Sequence, residues 1–210
     1  MSHVVSFAGV ILAAGESSRM GTDKALLPWP PSLAGRTGSE TFLSAAIRSL
    51  SLATDFVLVV AGKNEQALAP IVYANGASLV INPQPERGQF SSLQVGLREV
   101  LNRGRDTAII TLVDRPPAAV PTILRLRAAY ESADRKVWAV VAEYSGRHGH
   151  PFIAGRELME VFLHAPATTS ARDIEHQHPE HILYVAVDDP LVTANVDTPA
   201  DYAALSAQRT

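Results

Sequence analysis

Short β-branched apolar runs alternate along this chain with longer segments whose apolar positions recur every three to four residues. The runs predict strands over residues 4–12, 56–61, 78–81, 107–113, 137–142 and 182–187. The periodic segments predict helices over 40–52, 65–75, 91–102, 122–133, 155–164, 169–176 and 199–208. Pro121 opens one helix, Asn75-Gly76 closes another, and the stripe Ile123, Leu126 and Tyr130 reads as a core-facing edge. Alternation of this kind is the mark of a layered α/β protein. Strands so uniformly apolar are covered on both faces, which predicts a mainly parallel sheet with helices on both sides. Such sheets bind ligands at the carboxyl ends of their strands, so chemistry is sought just after Leu12, Ala61, Ile81, Val113, Ala142 and Val187. The loop-rich stretch is residues 28–39, with Pro30-Pro31, Gly35 and Gly38; no repeat interrupts the pattern, and one domain over 1–210 is expected.

Composition narrows the chemistry. With 210 residues and 47% hydrophobic content the chain can fill a sizeable core, and 18 Lys+Arg against 21 Asp+Glu, a formal net charge of -3, argue against a general nucleic-acid binder. The absence of cysteine removes disulfides, thiolate metal sites and a Cys nucleophile together. Any metal then rests on carboxylate, imidazole or carbonyl groups, and a hard cation such as Mg²⁺ is favoured. Residues 1–5 carry no cationic leader pattern and no apolar run approaches the roughly 20 residues of a membrane span, so a cytoplasmic protein with no membrane partner is expected.

Small residues and two glycines follow the first strand: Ala13-Ala14-Gly15-Glu16-Ser17-Ser18-Arg19-Met20-Gly21-Thr22-Asp23-Lys24. Such a loop turns sharply and brings backbone N–H groups close to an anion, with Arg19 and Lys24 supplying charge; by composition alone it is equally a surface loop with two solvated cations. It is neither a Walker A loop nor the dinucleotide G-x-G-x-x-G. Asp114-Arg115-Pro116 puts a carboxylate at the mouth of an apolar strand, where it is either paired with a cation or a helix cap. Asp197, before Thr198-Pro199, stands where it can serve as the cap of the last helix. Ser91 or Ser92 is placed to cap the helix after Asn82-Pro83. His148 and His150, alternating on an extended segment, admit a minor zinc reading, whereas His164, His176, His178 and His181 fall at helix ends or in a polar loop and read as solvated. A Gly-x-Ser-x-Gly nucleophile elbow is absent.

Taken together and in order, these elements resemble the MobA-like NTP transferases of molybdenum cofactor biosynthesis. Leu-Ala-Ala-Gly-x-Ser-x-Arg-Met-Gly-x-x-Lys, from Leu12 to Lys24, is most similar to the molybdenum cofactor cytidylyltransferase branch; the guanylyltransferase branch typically reads Leu-Ala-Gly-Gly, so Ala14 leans towards cytidine. The resemblance implies a three-layer Rossmann-like nucleotidyltransferase fold. It implies that Leu12, Ala13, Ala14, Gly15, Arg19 and Lys24 wrap the triphosphate, that Asn82, Ser91 and Ser92 contact base and ribose, and that Asp114 and Asp197 hold Mg²⁺. Arg19, Lys24 and Asp114 become the catalytic set, and Gly149-His150-Pro151 lies on the pterin side. Arg115 stands where the family usually has Gln, and the 29–40 loop is longer than usual, either a lid or a tolerated insertion. The implied reaction passes CMP from CTP to molybdopterin, with a molybdenum hydroxylase as the possible recipient of the product. Guanylyl transfer, nucleotidyl transfer to a sugar or polyol phosphate, and a non-catalytic cofactor carrier are the alternatives.

Overall fold

A computed structural model describes residues 5–15, 17, 20–31, 40–166 and 168–207. In chain order the strands and helices are β1 (Phe7–Leu12), β2 (Pro28–Trp29), β3 (Glu40–Thr41), α1 (Phe42–Ser51), β4 (Phe56–Ala61), α2 (Glu65–Ala74), β5 (Ser78–Ile81), α3 (Gln89–Asn102), β6 (Thr107–Leu112), α4 (Val120–Ser132), β7 (Ala139–Tyr144), β8 (Arg147–Gly155), α5 (Arg156–His164), α6 (Ala171–Gln177), β9 (Ile182–Ala186) and α7 (Pro199–Ala207). The most apolar runs take the centre of the sheet: β1 and β6 are buried at every position and pair in parallel, Leu12 opposite Leu112. The seven-stranded order is β5-β4-β1-β6-β8-β7-β9, with β2 and β3 in a separate ribbon.

Alternate residues of each strand feed opposite layers. Phe7 and Ile11 pack under Leu43 and Ile47 of α1, Leu68 of α2 and Ile123 of α4. Ala8, Val10 and Leu12 pack under Leu97 of α3, Phe162 of α5 and Ile174 of α6. This is the three-layer arrangement expected from strands apolar on both faces. A third cluster joins Trp29, Phe42, Val196 and Leu205, and Tyr202 donates its hydroxyl to the Pro28 carbonyl at 2.7 Å. It pins α7 beside the segment that follows β1. Among the described residues no helix is long and apolar enough to cross a membrane.

One strand differs from the sequence pattern. Residues 147–155 form β8, which runs against the other six: it is antiparallel to β6 and to β7, whereas β7 pairs in parallel with β9. The signal lay in Ser145-Gly146, with φ of 51° and 74°, a two-residue hairpin turn of the kind in which both central residues take positive φ. Because β8 descends, its beginning stands at the carboxyl ends of its neighbours. The pairing passes from Val141↔Phe152 to Ala142↔Gly149, so His150 and Pro151 bulge from the ladder; the peptide bond between them is cis. The helix expected from Gly155 begins after it, at Arg156. His181 is not simply solvated, since its ring stacks on Trp138 at 3.6 Å, with His178 beside the same indole. Of the 29–40 loop, residues 32–39 lie outside the described residues, as does Gln208 at the end of the last predicted helix.

Candidate active site

The segment after β1 is tied down at both ends by one side chain. Asn64, just beyond β4, donates from Nδ2 to the Ala13 carbonyl at 2.9 Å and to Asp23 Oδ2 at 2.7 Å, and its Oδ1 accepts from the Gly62 N–H at 3.1 Å. Asp23 Oδ1 accepts from the Ala25 N–H and starts the single helical turn Lys24–Leu26. The Lys24 N–H in turn donates to Ser17 Oγ at 3.2 Å. A Cβ on Gly15 would meet nothing within 4 Å, so the backbone there borders open space. Arg19 lies outside the described residues, with its neighbours Glu16 and Ser18. Sequence reasoning missed Asn64 and Asp23, although Asn64 stands where the strand-end rule directs attention, three residues after Ala61.

Two segments distant in sequence converge on Lys24. Its side chain is nearly enclosed, with Nζ 2.8 Å from Asp197 Oδ1 and 3.9 Å from Asp114 Oδ2. The backbone joins the two aspartates as well: the Val196 N–H donates to the Asp114 carbonyl at 2.9 Å. Neither aspartate caps a helix. Thr198 and Asp201 exchange bonds as the start of α7, while α4 begins at Val120, well beyond Asp114. Asp114 Oδ1 is buried with no protein partner. Burial raises the Asp114 carboxyl above the ordinary range, opposed by the nearby Lys24 and Arg115 charges.

Asn82 is 3% exposed and donates from Nδ2 to both Ser91 Oγ and Ser92 Oγ at 2.9 Å. These serines do not cap α3; the helix opens one turn earlier at Gly88, whose φ is 93°. The Asn82–serine bonds hold that helix start beside the strand ends. A cavity of about 290 Å³ lies there, walled by Leu12, Ala14, Gly15, Lys24, Ser92 and the Asp114–Asp197 pair. Ala13, Asn82 and Ser91 stand behind its wall.

A larger cavity of about 1060 Å³ adjoins it, sharing Leu12, Gly88, Gln89 and Leu112. Arg115, Gly149 and His150 line it; Pro151 lies buried outside the lining. Arg115 Nη1 donates to the Ala194 carbonyl at 2.9 Å and reaches the Thr193 carbonyl at 3.4 Å, while its Nε is buried without a partner. Burial, then the Arg115 charge, push the His150 imidazole down to about 3, which keeps it neutral through the working range. His148 instead stacks on Tyr184, and among the described residues no cluster of three or more His, Asp or Glu is arranged to hold a metal, so the zinc reading finds no support.

Gly149 is where β8 touches the turn leading to Asp197: a Cβ would fall 2.0 Å from the Val192 carbonyl oxygen. Gly149→Ala is therefore expected to cost about 3 kcal/mol of stability, since neither backbone can yield without moving the Pro190–Thr193 turn. The urea midpoint measures it; a variant as stable as the parent refutes the close approach.

A family model described as the MobA-like NTP transferase domain matches residues 9–182. A probable molybdenum cofactor guanylyltransferase of Rhodopirellula baltica is 28% identical over 200 residues, covering 92% of this chain and 88% of that protein. The molybdenum cofactor cytidylyltransferase of Escherichia coli is 23% identical over 201 residues, 92% of each chain. The structure of Rv0371c from Mycobacterium tuberculosis in complex with manganese superposes with a TM-score of 0.74 at 25% identity, covering 96% of this chain and 98% of that one. The family match runs from the first strand to the beginning of β9 and takes in the residues named on both cavity walls except Asp197, and the chain belongs to the MobA-like NTP transferase family.

Proposed function

We propose that this chain transfers CMP from CTP to the terminal phosphate of molybdopterin in its metal-loaded form. An oxygen of the acceptor phosphate bonds to the α-phosphorus of the nucleotide, the α–β bridge breaks, and pyrophosphate leaves. The single observation that carries this reading is Lys24, held at 2.8 Å and 3.9 Å from two aspartates at a cavity that opens into a second, larger one. Phosphoryl chemistry needs positioning and cancellation of developing charge more than covalent help. The smaller cavity takes the triphosphate, with the Ala14-Gly15 backbone and Lys24 against its oxygens and Arg19 as a further cation. The acceptor phosphate is already anionic near neutral pH, so no general base is required.

A divalent cation fits the residues present: Asp114 Oδ1 is buried without a partner, and two carboxylates shared with phosphates and water are what Mg²⁺ takes. Bound there by Asp114 and Asp197, it would supply neutralising charge to the reacting phosphates. The larger cavity takes the pterin, with Gly149-His150-Pro151 on that side. Ala14 and the Gly-His-Pro element favour cytidine by their resemblance to the cytidylyltransferase branch. The second reading is guanylyl transfer, favoured by the higher identity to the Rhodopirellula baltica protein, 28% against 23%. A molybdenum hydroxylase is the proposed recipient and the cytoplasm the proposed compartment.

Calorimetric titration with CTP and GTP, each with and without Mg²⁺, separates the readings. Mg²⁺-dependent binding of CTP is expected; selection of GTP moves the assignment to guanylyl transfer, and binding of neither overturns both. Tight binding without pyrophosphate release, once pterin is added, replaces catalysis by a carrier role.

A further inference from the structure

Residues adjacent in sequence at the end of β6 serve different spaces: Asp114 lines the smaller cavity and Arg115 the larger. The larger cavity is cationic in a chain that is anionic overall. Among the described residues Arg87, Arg115, Arg147 and Arg172 line it against one carboxylate, Glu175, whereas the formal net charge of the chain is -3. Of the four arginines, Arg115 stands next to the Asp114 that borders the other cavity. Its guanidinium is fixed rather than mobile, because Nη1 is bonded to the carbonyls of Ala194 and Thr193. Its Nε is enclosed and makes no bond to protein. A buried donor left unpaired is costly, and an anion is the partner that best offsets it. Among the described residues no carboxylate forms an ion pair with Arg115, and its charge, which also reaches the neighbouring Asp114, borders the larger cavity.

We infer that Arg115 is the acceptor-phosphate clamp, the residue that holds a phosphomonoester entering from the larger cavity against the nucleotide site. The inference rests on the transferase reading above and adds which group of the acceptor is recognised and by which atom. One edge of the guanidinium is anchored to the segment that carries Asp197, and the Nε edge receives a phosphate oxygen. Anchoring in advance lowers the ordering cost of binding and sets the anion beside, rather than in, the triphosphate space. Arg is suited to this where Lys is not, since its planar fork satisfies backbone carbonyls on one side and an oxyanion on the other. The neutral His150 nearby adds no competing charge.

The test uses the fluorescence of pterins to follow binding of molybdopterin and of its dephosphorylated form to the whole protein, its R115Q variant and its R115K variant. For R115Q the affinity for the phosphorylated pterin is expected to fall roughly 10- to 100-fold, the loss for one charge-assisted bond, while the dephosphorylated pterin binds as to the parent. R115K is expected to recover only part of the loss. CTP affinity is expected to fall less than affinity for the phosphorylated pterin in both variants, since Arg115 lines the other cavity and reaches the nucleotide site only through its charge on Asp114. Equal weakening of both pterins by R115Q makes Arg115 a wall residue and overturns the inference, as does unchanged binding of the phosphorylated pterin. If the parent protein binds neither pterin, the acceptor assignment itself falls and takes the inference with it, an outcome distinct from the other two.

Discussion

Asp114→Asn is expected to lower kcat roughly 1,000-fold while leaving the protein as stable as its parent, or more so, at pH 7.5. The two effects have one cause. The carboxylate is withdrawn from water with Oδ1 unpartnered, and burial raises its pKa above the ordinary value of 3.8 despite the opposing Lys24 and Arg115 charges. A folded-state pKa above the unfolded one means that folding disfavours the ionised form. The cost is absent below the unfolded value, grows as pH rises from there through the folded value, and is complete above it. Asn keeps the shape and removes the charge, so its stability gain belongs to pH 7.5 and vanishes towards pH 3. Pyrophosphate release reports the first effect and urea midpoints at the two pH values the second. Near-normal turnover refutes the metal-ligand role of Asp114; a variant less stable at pH 7.5 than its parent refutes the account of a desolvated charge held for function.

Lys24→Met is expected to reduce turnover by a similar factor, roughly 1,000-fold, and to cost about 2 kcal/mol of stability. Met retains the apolar stem and removes only the ammonium, leaving Asp114 and Asp197 facing each other without their shared cation. The stability figure sits below that for a fully buried pair because the side chains of Asp114 and Asp197 remain 32% and 27% exposed and water screens them in part. A divalent cation that occupies the vacated space binds only the folded protein and stabilises it. Millimolar Mg²⁺ or Mn²⁺ is therefore expected to raise the Tm of the variant more than that of the parent, in which Lys24 competes for the same oxygens. Equal shifts in the two proteins exclude a common cation site between the carboxylates.

Particular residues show how far the site was legible. Glycine spacing and charge are local properties of the chain, so Leu12 to Lys24 offered an anion loop, though by composition alone equally a solvated surface loop. The duty of Asp114 and Asp197 could not be settled the same way, since each stands where a cap also fits. Thr198 and Asp201 take the capping bonds of α7, and α4 begins six residues after Asp114, which leaves both carboxylates for the cavity. Ser91 and Ser92 read as caps from sequence, yet their hydroxyls face Asn82, a contact across nine and ten residues that turns on how the β5–α3 connection folds. The Asn64 bonds to Ala13 and Asp23 span 51 and 41 residues and have no local signature at all.

By itself the sequence determined the layered α/β class, the central strands and, to within two residues, six strand ends, because apolar periodicity and β-branching act over a few residues and survive without tertiary context. Only the tertiary structure decided that residues 147–155 form an antiparallel strand, that its first residues stand against the turn before Asp197, and that Arg115 and Asp114 border different cavities. Those facts depend on which surfaces meet when distant segments pack. A charge or a glycine carries no record of that meeting until the partner 40 or 170 residues away is in place.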